Sequence, residues 1–146
     1  MVKIAELETQ LVTALKAHDE VRVRTMRLLL SRLKNEQIAA GQPLTEAQIQ
    51  MAIQSEVKRR REAAAEFLRG GRADSAAAEN QEAAVLAEFL PAQADRAAIE
   101  AVTADLIAQN AWTKADFGSG MKALKEKFGA TADGALLSTV LKEKLI

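Results

Sequence analysis

The sequence predicts an all-α protein of two helical subdomains, on three observations. Its 146 residues are rich in the alanine, leucine, glutamate, lysine and glutamine that favour helix. Apolar side chains recur at spacings of three and four along most of the chain. The recurrence is punctuated by Gly, Pro and Asp at positions of the kind that start and stop helices. A chain of this length accommodates one ordinary domain or two small helical ones.

Ile4, Leu7, Leu11 and Leu15 predict a first helix that ends at His18-Asp19, where Asp19 can cap the next by accepting a free backbone N–H. The second helix carries Val23, Met26, Leu30 and Leu33 and breaks at AAGQPLTEAQ, because Gly41 and Pro43 exclude its continuation. Thr45 and Gln48 have capping-box spacing, with Leu44 and Ile49 placed as a hydrophobic staple, so a third helix begins close to Glu46. It carries Ile49, Ile53, Val57, Ala64, Phe67 and Leu68 and stops at Gly70-Gly71, the first glycine being expected in the left-handed cap conformation. A fourth helix covers roughly residues 75–88, and Pro91 then forces Leu90 out of helical geometry.

Residues 91–95, PAQAD, read as a linker, which places an N-terminal four-helix subdomain at 1–90 and a C-terminal three-helix subdomain at 91–146. The three shorter helices carry in turn Ile99, Val102, Leu106 and Ile107; Phe117, Met121, Leu124 and Phe128; and Leu136, Leu137, Val140, Leu141 and Leu145. A core this small is marginal and depends on close helix contacts. Four glycines stand between residues 117 and 137. Gly118 and Gly120 each cost a helix interior about 1 kcal/mol relative to alanine, an outlay that close approach of another backbone would offset. Gly129 reads as a helix stop, and Gly134 leaves the start of the last helix unobstructed.

Composition removes several function classes. There is no cysteine, so disulfides, thiol nucleophiles and thiolate metal sites are excluded, and a cytoplasmic address is expected. No apolar run reaches the roughly 20 residues of a membrane span, and the N-terminus lacks the unbroken apolar core of a signal peptide, so a soluble, unprocessed protein with no membrane association is expected. His18 is the single histidine and stands at a helix end. The serines lie in no nucleophile-elbow or phosphate-loop motif, and the acids are scattered singly. No catalytic constellation, metal site or cofactor is therefore expected.

Net charge is zero, with 13 basic and 13 acidic residues in 1–90 and seven of each in 91–146, so any basic surface has to be local. The segment VRVRTMRLLLSRLK at 21–34 contains no acid, and Lys58, Arg59, Arg60 and Arg61 form a second basic run. Arg24, Arg27, Ser31 and Lys34 share one polar stripe at offsets 0, 3, 7 and 10. Lys114, Gly118, Lys122 and Lys125 form another at 0, 4, 8 and 11. Lysines on a bare-glycine face can grip phosphates, and the turn before the last helix, with Gly134, offers backbone N–H groups to an anion. Such stripes also occur as solvated faces paired with nearby acids, as the row Lys58, Glu62, Glu66 illustrates.

The segments VRVRTMRLLLSRLKNEQIAAGQPLTEAQ, EVKRRREAAAEF, GGRAD, AAVLAEFLPAQ and TKADFGSGMKALKEKFGATADGALLSTVLKEKL resemble the GatB/YqeY family along essentially the whole chain, in its stand-alone YqeY-like branch. The resemblance implies two helical subdomains, the second similar to the tail domain of the amidotransferase B subunit, which engages tRNA while the chemistry lies in other domains. The family usually carries basic residues where this chain has Ser119 and Thr131, which leaves Lys114, Lys122 and Lys125 as the phosphate contacts here. The function so implied is a non-catalytic tRNA-binding or RNA-binding accessory module of the transamidation system, with tRNA and a protein of the translation or aminoacylation machinery as partners. The alternative is a protein-interaction adaptor using the basic face of the N-terminal helices. A carbon-nitrogen ligase with glutamine as amido donor follows from the family association alone.

Overall fold

The computed structural model describes residues 2–146, and among them there is no strand. Seven α-helices follow one another: α1 Ile4–Lys16, α2 Glu20–Ala40, α3 Glu46–Arg69, α4 Ala73–Ala87, α5 Arg96–Asn110, α6 Phe117–Phe128 and α7 Gly134–Lys144. Single 3-10 turns lead into α6 (Lys114–Asp116) and out of it (Gly129–Thr131). By its packing the chain divides into two compact units, Met1–Leu90 and Pro91–Ile146.

In the first unit α3 and α4 form the most extensive helix pair, α2 lies against both, and α1 packs on α2. Leu7, Met26, Leu29, Leu33, Ile53 and Leu86 are almost wholly buried at the centre. Each is worth about 1.5–3 kcal/mol relative to exposure, a large share of a marginal total. The helix starts are set by side chains. Asp19 Oδ1 accepts from the Arg22 N–H at 3.1 Å, and Thr45 and Gln48 close a reciprocal capping box. Leu44 and Ile49, on either side of that box, both enter the core.

The end of α3 differs from expectation in one residue. Gly70 keeps φ −81°, and it is Gly71, at φ +76°, that takes the left-handed conformation. The Gly71 N–H then bonds the Leu68 carbonyl and the Arg72 N–H bonds that of Phe67, the paired closure of a Schellman turn, which needs the positive φ one residue later.

The second unit wraps Ile99, Leu124, Leu137, Val140 and Leu141, with Trp112, Phe117, Met121 and Phe128 packed round them. Its two interior glycines part company. A Cβ on Gly120 would stand 2.8 Å from Leu141 Cδ2, so the close α6–α7 approach requires glycine there, whereas a Cβ on Gly118 would meet nothing within 4 Å. Residues 91–95 are held and do not hang free. The Ala94 N–H donates to the Thr131 carbonyl at 2.7 Å and Gln93 Nε2 to the Ala130 carbonyl at 2.9 Å, tying this segment to the C-terminal unit. No helix is long and apolar enough to cross a membrane among the described residues.

Candidate nucleic-acid interface

The basic residues singled out by the sequence fall into two populations. Of those in the N-terminal unit, Arg24, Arg59 and Arg60 are drawn into an ion-pair network across α2, α3 and α4. Glu82, buried on α4 at 7% exposure, accepts from Arg24 Nε at 2.9 Å and from Arg60 Nη1. Arg60 also reaches Glu56 and Glu79, and its side chain is only 14% exposed. Glu56 in turn pairs with Arg32 at 2.6 Å and Arg59 at 3.6 Å, and Arg32 with Glu36 at 2.9 Å. A carboxylate this buried is tolerable because two guanidinium groups hold it. Arg60 Nε is buried without a hydrogen-bond partner, so the cluster is not fully satisfied.

Arg60 is therefore committed to carboxylates. Lys34 lies 3.4 Å from Glu8, and Arg59 keeps an exposed side chain despite its pairing. Arg27, Lys58 and Arg61 are exposed and without an ion-pair partner among the described residues. Nearby, Arg22 makes a two-pronged pair with Glu88 at 2.8 and 2.9 Å, which raises the guanidinium and holds the Glu88 carboxyl below the usual carboxylate range.

In the C-terminal unit, Lys114, Lys122 and Lys125 are all exposed, and none has an ion-pair partner among the described residues. Arg96 is ion-paired there, with Glu100 and Glu143. Gly118, Lys122 and Lys125 lie at helical spacing on α6. Lys114 does not continue that register. Its 3-10 turn is set by a capping box in which the Thr113 N–H donates to Asp116 Oδ2 at 2.8 Å, so α6 proper starts only at Phe117. Ser119 is exposed, and Thr131 Oγ1 donates to the Phe128 carbonyl within the turn after α6. Gly134 opens α7, whose first N–H groups are already partly served by the Asp133 carboxylate, a bond of 3.3 Å to the Ala135 N–H.

The sequence reading missed the acids that organise the first population. Glu56 and Arg60 stand at i, i+4 and could have been paired on spacing alone. Glu82 could not, since an acid on the inward face of an alanine-rich helix has no sequence signal until α2 and α3 bring their arginines to it.

A family model described as Yqey-like protein matches residues 4–145. No match is found among curated proteins.

Proposed function

The chain belongs to the Yqey-like protein family, and on that premise we propose that it is a non-catalytic RNA-binding accessory module related to the tRNA-dependent amidotransferase system, with the α6 lysines as its phosphate contacts. One observation supports this above the others. The N-terminal arginines are largely neutralised by acids, while Lys114, Lys122 and Lys125 are exposed and unpaired among the described residues beside a glycine that leaves open space. A cation with no intramolecular partner has no ion pair to break before it meets a phosphate, and its full charge is available to displace counterions.

The test is filter binding of tRNA at several salt concentrations. Replacing Lys122 and Lys125 with alanine is expected to weaken binding and to lower the log–log salt slope by roughly one unit for each phosphate contact removed. Replacing Arg59, which is already paired with Glu56, is expected to matter little. Arg60 is unsuitable as a control because its loss would unseat Glu82. Purified protein is expected to release no ammonia from glutamine, and release that survives removal of contaminating amidotransferase would favour the ligase reading instead. Wild-type protein that binds no tRNA at low salt would end the RNA proposal.

A further inference from the structure

The α1–α2 hairpin carries an open groove of about 550 Å³ that none of the RNA argument uses. Leu15 on α1 and Val23 and Leu28 on α2 line it, and Leu15 and Leu28 remain 42% and 52% exposed. Val12, one helical turn before Leu15, is exposed as well and extends the apolar strip along α1. Arg24 and Arg27 stand on the same groove, against one acid, Glu20.

The two arginines differ from most of the others in this unit. Arg22, Arg32, Arg59, Arg60 and Arg69 are each spent on glutamates. Arg27 has no ion-pair partner among the described residues, and Arg24, 54% exposed, uses Nε on Glu82 and leaves its Nη fork open. The groove thus combines an unpartnered apolar strip with the unpaired Arg27 guanidinium and with that of Arg24, which is bonded to Glu82 through Nε alone. An RNA backbone would satisfy the guanidinium groups but would bury Leu15, Val23 and Leu28 against nothing apolar. A purely apolar ligand would cover the leucines and leave the guanidinium groups unused.

We infer that this groove docks an amphipathic helix of a partner protein, one whose leucine-type stripe is flanked by glutamate or aspartate. The apolar stripe seats between Leu15 and Leu28, and the acids take bidentate bonds from Arg24 and Arg27. Charge complementarity sets the partner's sign, and the strip sets its spacing at i, i+3 or i+4. The inference is independent of the α6 lysines and of the RNA reading.

The test is selection of displayed peptides of about 16 residues, roughly four helical turns, on the full-length protein. The most enriched peptide is then titrated calorimetrically against wild type and the variants Arg27→Glu, Leu28→Glu and Leu15→Glu. All three positions are exposed, and circular-dichroism melts verify folding, so that any one folded variant suffices. Expected are peptides with leucines at helical spacing beside acids, binding each variant at least about tenfold more weakly while the Lys122/Lys125 double alanine variant binds as wild type does. Enrichment of basic or non-helical peptides, absence of enrichment, or equal affinity for the variants would overturn the inference. So would self-association abolished by Leu28→Glu, which would assign the groove to a second copy of this chain, or tRNA binding lost in Arg27→Glu with peptide binding unchanged, which would assign it to nucleic acid.

Discussion

Two glycines on one helix have opposite stakes. At Gly120 an added methyl would meet the side chain of Leu141, a residue fully buried in the core, which would have to shift. Gly120→Ala is therefore expected to destabilise the protein by about 1–3 kcal/mol, the usual cost of forcing extra volume into a packed interior. At Gly118 the same methyl enters open space, and it removes the conformational entropy that glycine loses on folding. Gly118→Ala is expected to be neutral or to stabilise by up to about 1 kcal/mol. Urea unfolding of the two variants checks both signs, and a loss at Gly118 as large as that at Gly120 would mean that α6 presents a different face to α7.

At the scale of the helix, the ends are fixed by side chains. The Arg22–Glu88 pair fastens the start of α2 to the turn that closes α4, and it gives that connection a pH dependence. The hydrogen bond from Arg22 keeps the folded Glu88 carboxyl below its ordinary value of about 4.3, so the folded state takes up a proton less readily than the unfolded chain. The contribution is fully present above the ordinary value and is lost as pH falls through the lowered one. Because Glu88 is half exposed, solvent screening limits it to about 0.2–1 kcal/mol. Wild type is expected to exceed Glu88→Gln in stability by that amount near pH 7, with the difference shrinking as pH falls below about 4.3 in chemical denaturation. These ends were also where the sequence spoke most clearly. Asp19 and Thr45 with Gln48 cap as their spacing predicts, because capping is local chemistry within a few residues. The misread positions are those decided by the following residue or by a distant helix. Gly71 in place of Gly70 was settled by where the Schellman bonds could close, and Gly118 faces outward because α7 crosses at Gly120.

At the scale of the whole chain the charge sums to zero, yet the unpaired part of it is uneven. The candidate interface was legible as a set of basic stripes and illegible as a ranking of them, since pairing depends on acids as far as 66 residues away. The same separations bear on time. Glu82 meets Arg60 across 22 residues, within the α3–α4 hairpin, and meets Arg24 across 58, after α2 has arrived. Closing the shorter loop costs less entropy, so the first bond belongs early on the folding path and the second late. Stopped-flow kinetics are expected to show Arg60→Ala slowing refolding and Arg24→Ala chiefly speeding unfolding, whereas the reverse order would place α2 in the folding nucleus. The carboxylate that holds three helices together would then also act as a clock, recording by which arginine it takes first the sequence in which the bundle is assembled.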